Sequence, residues 1–321
     1  MRKTWNVMLA ALLTASAARL LHAQTSQCAS LDDDGRRTCV AAVDLARAYY
    51  PLAGLAISGG NPVLGDGGTA GGFGHFDITL RANGFTLHVP DLGAIGTDGT
   101  VAEDQSLLAP APLVEARVGL FGGLPGGFLG IDLLGAAQLV PNEDLTEDIR
   151  VDSTAPRIGP VSLGIGLGAR IGLMAEAEGR PAVAVSVMRR SIPRIGFGDV
   201  VNGDEIQADV DLVAWNVRGT IGKHIGPLLL AGGGGWSRYA GTATADYNGG
   251  PGPGQQGSID LDLRETRWTA FVNAGIGFSA VRLVAEAGYQ FGVDQDLETT
   301  FEGFDDAAGT LYYSAGLQFG L

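Results

Sequence analysis

The stretch 310–321, TLYYSAGLQFGL, decides how this chain is to be read. Leu311, Tyr313, Ala315, Leu317, Phe319 and Leu321 take every second place. Thr310, Tyr312, Ser314, Gly316, Gln318 and Gly320, mostly small or polar, fall between them. A period of two sends the two sets to opposite faces of a strand. At the end of a soluble protein such a strand would be an exposed apolar edge. In a closed sheet whose outside touches lipid it is an ordinary wall element.

The same alternation recurs upstream. Phe76, Ile78 and Leu80 alternate with Asp77, Thr79 and Arg81; Val114, Ala116 and Val118 alternate with Glu115 and Arg117. Leu129, Ile131 and Leu133 flank Gly130 and Asp132, and Val161 to Ile171 alternates with Ser162, three glycines and Arg170. Further segments begin at Val183, Val213, Leu228, Trp268 and Val281. With the terminal stretch this makes about ten strands, and counts from eight to twelve fit the pattern. Between them the links alternate in length. Working back from the C-terminus, 293–309, 241–257, 191–204, 140–159 and 90–111 are long. The links at 279–280, 223–227, 174–180 and 122–127 are short. Long outer loops and short inner turns are the habit of a membrane barrel, whereas a β-sandwich has no reason for such alternation. In two places, at 209–215 and between Leu263 and Trp268, the apolar set changes phase. Such a slip marks a β-bulge or the point where a strand leaves the membrane.

The N-terminus carries an address. Arg2 and Lys3 precede an apolar run, Val7 to Ala18, and Leu21-His22-Ala23 is a fitting cleavage site, so residues 1–23 read as a signal peptide. No apolar run elsewhere is long enough for a membrane helix, which needs ~20 residues. Without residues 1–23 the chain has 18 basic and 35 acidic residues, a net charge of −17. Nucleic acid is therefore excluded as a partner, because its binding draws on basic surface. Cys28 and Cys39 are the two cysteines, and in an exported chain they read as one disulfide. Thr38 to Tyr50 is helical in composition, with Thr38 as a cap and Pro51 as its end; a Gly-rich segment follows to Gly72. Residues 24–70 read as a periplasmic extension or a plug, and residues 71–321 as the barrel.

Charged residues fall into two groups. Acids collect in the long links, at Glu143, Asp144, Glu147 and Asp148, around Asp199 to Asp211, and from Asp294 to Asp306. Solvated loops account for them, with divalent cations bridging to lipopolysaccharide as the functional alternative. A second group lies on the polar phase of the strands: Arg81, Glu115, Arg117, Asp132, Arg170, Arg218, Arg282 and Glu286. Buried charges need partners. These eight read as a structural ion-pair network, as a pore constriction that orients a polar or anionic solute, or as the lining of a ligand cavity closed by the N-terminal segment.

Catalytic patterns are sparse. His88 is the one histidine placed as a general base near the outer rim, while His75 and His224 fall elsewhere. No serine is set beside His88 by sequence, and Gly-x-Ser-x-Gly is absent. The glycines 164, 166 and 168 sit in an alternating strand with no helix after it, so a dinucleotide loop fails its context. The expectation is a chain that is not an enzyme and needs no cofactor or metal.

The signal at 1–23, the alternating strands and the terminal strand together resemble bacterial outer-membrane β-barrels. Leu311, Tyr313, Ala315, Leu317 and Phe319 resemble the terminal signal read by the barrel-assembly machinery, although Leu321, rather than an aromatic residue, comes last. The resemblance implies an all-β fold, a closed antiparallel transmembrane barrel with a short helical and Gly-rich N-terminal extension. It implies an outer-membrane location and contact with outer-membrane lipid and lipopolysaccharide. The expected role is a small channel or a structural membrane protein. A lipid-modifying hydrolase, or a transporter of hydrophobic ligands with an N-terminal plug, stands as the alternative.

Overall fold

The computed structural model describes residues 27–141, 149–152, 155–159, 161–252, 255–278 and 280–320. The signal at 1–23, the acids from Glu143 to Asp148, and Leu321 lie outside the described residues. Ten strands form the wall: β1 Phe76–Ile95, β2 Thr100–Phe121, β3 Gly130–Pro141, β4 Val161–Met174, β5 Ala182–Phe197, β6 Ile206–Ile225, β7 Leu228–Asn248, β8 Gln256–Phe278, β9 Val281–Gln290 and β10 Thr310–Gly320. Every neighbouring pair in this order is antiparallel. β10 then pairs with β1, from Asp77 opposite Gly320 to Phe85 opposite Tyr312. The sheet is a closed barrel, so its strands find partners where lipid would offer none. Three short strands lie outside this order: Ile149–Val151, Arg157–Ile158 and Thr300–Phe301.

The terminal strand behaves as its alternation demands. Leu311, Tyr313, Leu317 and Phe319 are 40–52% exposed on the outside, and Ala315 lies on the same face. Tyr312, Ser314 and Gln318 are buried inside. Ile78, Leu80, Leu133, Leu167, Trp268, Val272 and Leu283 are likewise exposed around the wall. This is the outward apolar band that hydrocarbon requires. The end of the barrel with the short turns and Gly320 is the periplasmic end, and the opposite end faces out of the cell.

The outer links differ from expectation. β1 and β2 are 20 and 22 residues long and join through residues 96–99, so most of the expected loop 90–111 is paired strand. β6, β7 and β8 run to 20, 21 and 23 residues. A membrane needs only ~9–11 residues per strand, so the outer half of these strands rises above the bilayer as a water-exposed barrel.

That rise explains the phase changes. In β6, Ile206, Ala208, Val210, Leu212, Ala214, Asn216, Arg218 and Thr220 all point inward and are buried. In β8, Ile259, Leu261, Leu263, Arg267, Thr269, Phe271 and Asn273 do the same. The side-chain alternation is unbroken. What inverts is the solvent: above the membrane the outside is wet and the apolar set turns in, whereas within it the outside is lipid and the apolar set turns out.

The inside is filled by the N-terminal segment. Among the described residues a single α-helix, α1, spans Asp33–Ser58. Asp32, not Thr38, is its N-cap, accepting a hydrogen bond from the Gly35 N–H at 2.8 Å. Pro51 does not end it but lies inside it. A proline there costs ~3 kcal/mol in helix propensity, and burial on all sides offsets that cost. Val43, Leu45, Tyr50, Ile206, Leu212, Tyr239, Leu261 and Phe301 belong to one core in the outer half. Each large aliphatic side chain buried there contributes ~1.5–3 kcal/mol.

Candidate functional site: an arginine collar around the plug

Below the apolar core the lining becomes polar. Gly59 and Gly60 follow the helix, and the chain continues through Asn61 and Asp66 to His75 before entering β1. A Cβ at Gly60 would stand 2.5 Å from Glu286 Oε1, and Gly59 adopts φ +54°. Glycine is what lets wall side chains approach this backbone so closely.

Five wall arginines use that access. Arg190 Nη1 donates to the Ile57 carbonyl at 2.7 Å and also to that of Ser58. Arg218 donates to the carbonyls of Gly60 at 3.1 Å and Gly59 at 3.3 Å. Arg81 donates to Asn61 O at 2.8 Å, Arg170 to Asp66 O at 3.0 Å, and Arg117 to Gly68 O at 3.2 Å. The last carbonyls of a helix lack partners within it and carry its negative pole. Arg190 supplies both a donor and a positive charge at that end, and all five arginine side chains are buried.

Acids complete the collar. Glu115 lies 2.5 Å from Arg190 and 3.2 Å from Arg81. Arg117 is 2.8 Å from Asp66 and pairs with Asp77. Glu286 accepts the backbone N–H groups of Gly60 at 3.1 Å and Asn61 at 2.9 Å. Asp132 accepts that of Ala70 at 3.0 Å. Arg170 Nη1 also reaches Asn61 Oδ1 at 3.1 Å.

Seven of the eight sequence-marked charges thus converge on the plug. Arg282 does not: it is half-buried near the periplasmic end and donates to Gln318 Oε1 at 3.2 Å. Arg190, Asp66, Asp77 and Asn61 belong to the collar and were not marked by sequence. Two small cavities lie between plug and wall, of about 10 and 20 Å³. Each has room for about one water molecule.

Elsewhere, Cys28 and Cys39 form a disulfide near the outer mouth. His88 Nδ1 lies 2.9 Å from Glu103 Oε1, and the Tyr49 hydroxyl donates to the His88 carbonyl at 2.6 Å. His75 Nδ1 lies 3.3 Å from Gly72 O at the periplasmic end. His224 Nδ1 lies 2.6 Å from Glu176, across two periplasmic turns. Acids of the outer links shape their own turns. Asp98 accepts the Thr100 N–H at 3.0 Å, and that bond holds its carboxyl below the usual range. Asp199 accepts from the Asn202 amide side chain at 2.7 Å, which lowers its pKa likewise.

No family model matches the sequence, and no curated protein does. Solved structures do. The outer-membrane protease OmpT from Escherichia coli is 12% identical, with a TM-score of 0.40, over 77% of this chain and 96% of that one. The translocator domain of the autotransporter NalP from Neisseria meningitidis is 13% identical, with a TM-score of 0.40, over 86% and 97%. The attachment invasion locus protein Ail of Yersinia pestis is 11% identical, with a TM-score of 0.30, over 78% and 99%. The likeness is one of fold. With its closed ten-stranded wall and outward apolar band, the chain is a bacterial outer-membrane β-barrel protein. The expectation that it is not an enzyme does not stand: an outer-membrane protease is among the structures to which the chain is similar.

Proposed function

We propose that this barrel works closed, with its N-terminal segment as a fixed part of the wall rather than a movable gate. Its role is to hold a rigid, water-exposed upper barrel at the cell surface, anchored by the apolar band in outer-membrane lipid. The arginine collar carries this reading. Pulling the plug out would break the hydrogen bonds that five arginines make to its carbonyls, each worth ~1.5–3 kcal/mol for a charged donor. The apolar inner face of the outer half would be exposed at the same time. Lipopolysaccharide is the natural neighbour of the rim, and the assembly machinery the natural reader of β10.

Conductance across a planar bilayer tests this. The full chain is expected to insert and hold the baseline current. The double variant Arg190→Ala, Arg218→Ala is expected to show frequent openings, because the end of the plug is then loose. Long-lived openings of the unaltered protein would overturn the closed-barrel reading.

A further inference from the structure

The helix points its N-terminus out of the cell. Asp32, the N-cap, receives a hydrogen bond from Gln255 at 3.3 Å, in the link between β7 and β8. Arg36 lies 3.6 Å from Glu298, in the link between β9 and β10. Both links belong to the outer mouth. At ~1.5 Å per residue, the 26 residues of α1 reach down to Ser58, which meets Asn216 at 3.0 Å at the level of the collar. The chain continues downward: Ala70 meets Asp132, and a Cβ on Gly72 would come within 2.7 Å of Gly122 N beside the first periplasmic turn. Gly72 and Gly74, at φ +107° and +92°, lie in the reversal into β1. The segment therefore runs the length of the lumen, antiparallel to the first wall strand.

The exit is built. Gln27, Ala29 and Ser30 are exposed, while Cys28 among them is fully buried and bonded to Cys39 of the helix, which is also fully buried. An exported chain starts in the periplasm, yet residue 27 stands at the opposite side of the membrane. We infer that the N-terminal end of the processed chain is carried through the outer membrane inside its own barrel and displayed on the cell surface, with Gln27 as the point of exit. The barrel is then a display scaffold, and a sequence joined ahead of Gln27 would be presented outside the cell. This does not require a sealed lumen. A leaky barrel with residue 27 outside would overturn the closed-barrel reading and leave this one standing.

The lysine content makes the test clean. Lys223 is the single lysine after residue 23, and it lies near the periplasmic end of β6, whose range ends at Ile225. The variant Gln27→Lys, in cells with an intact outer membrane, is treated with a sulfonated succinimidyl ester that cannot cross it, and the adducts are located by mass mapping. Position 27 is expected to be labelled equally in intact and permeabilised cells. Lys223 is expected to be labelled at least ~10-fold more after permeabilisation, as membrane exclusion requires. Labelling of position 27 only after permeabilisation would overturn the proposal. Should Gln27→Lys fail to assemble, Ser30→Lys carries the same expectations, and an antibody to residues 27–34 tests the unaltered chain. Binding of that antibody to permeabilised cells only would count equally against it.

Discussion

Arg190 joins two demands at one guanidinium. One nitrogen takes the carbonyls of Ile57 and Ser58, and the other meets Glu115 at 2.5 Å. Truncating it leaves the Ile57 and Ser58 carbonyls without that donor and Glu115 with Arg81 alone, so Arg190→Ala should cost ~3–5 kcal/mol, the range for breaking a buried pair. Arg282→Ala removes only a bond to Gln318 from a half-buried site, and about 1 kcal/mol is expected. Urea titration of the detergent-folded protein, followed by tryptophan fluorescence, would compare them; equal losses would mean the collar is not what holds the plug. The sequence marks Arg81, Arg117, Arg170 and Arg218 because each follows an apolar neighbour in strict alternation. It hides Arg190, because Arg189 takes the outward place where an apolar residue would have continued the strand from Val187. Nor could it show what the arginines bind. Their partners include backbone carbonyls at the helix end and in the segment after it, and these have no side-chain signature. A search for acids directly opposite arginines finds Asp77 and Asp132 and misses the backbone partners.

At the scale of the strand, the apolar residues report which side is dry, not which side is inside. β8 makes the point within one element: Leu261 and Leu263 face in and are buried, whereas Trp268 and Val272 face out at 60% and 65% exposure. The inversion is legible in the sequence as a phase change, but a bulge gives the same pattern. Only the helix packed inside the outer half separates the two. Val272→Arg should therefore cost ~2–4 kcal/mol of folding into a bilayer, as a cation on the lipid face near the midplane does. Ser258 is exposed near the outer end of the same strand, and Ser258→Arg should stay within ~0.5 kcal/mol, as surface substitutions do. Folding yields into lipid vesicles would decide, and a similar penalty at both positions would place the membrane boundary wrongly. The helix was legible only in part. Thr38 to Tyr50 has helical composition, but Pro51 reads as a stop, because local propensity cannot register that a closed wall surrounds the helix and packs both sides of that proline.

For the whole molecule, closure depends on the last few residues of the chain. Asp77, Ile78, Thr79 and Leu80 pair with Gly320, Phe319, Gln318 and Leu317 on one side of β10. Val281, Arg282 and Leu283 pair with Phe319, Gln318 and Leu317 on the other. Deleting Leu317 to Leu321 would thus leave one edge of the periplasmic ends of β1 and β9 unpaired, facing each other across a gap open to lipid. Each unpaired backbone group in hydrocarbon costs several kcal/mol, more than the ~5–15 kcal/mol net stability of a typical protein can absorb when several are lost together. The plug makes matters worse, since Arg81 and Arg117 can hold its lower end only if β1 and β2 are fixed in place. Assembly as a whole should fail rather than yield a nine-stranded barrel, because Arg81, Arg117, Arg170, Arg190 and Arg218 each hold particular plug carbonyls, and removing a strand would shift those matches. The measurement is migration before and after heating in dodecyl sulfate on membranes from cells making the truncated chain. Loss of the heat-sensitive folded band is the expected outcome, and normal membrane insertion of the truncated protein would show that closure at β10 does not organise the fold.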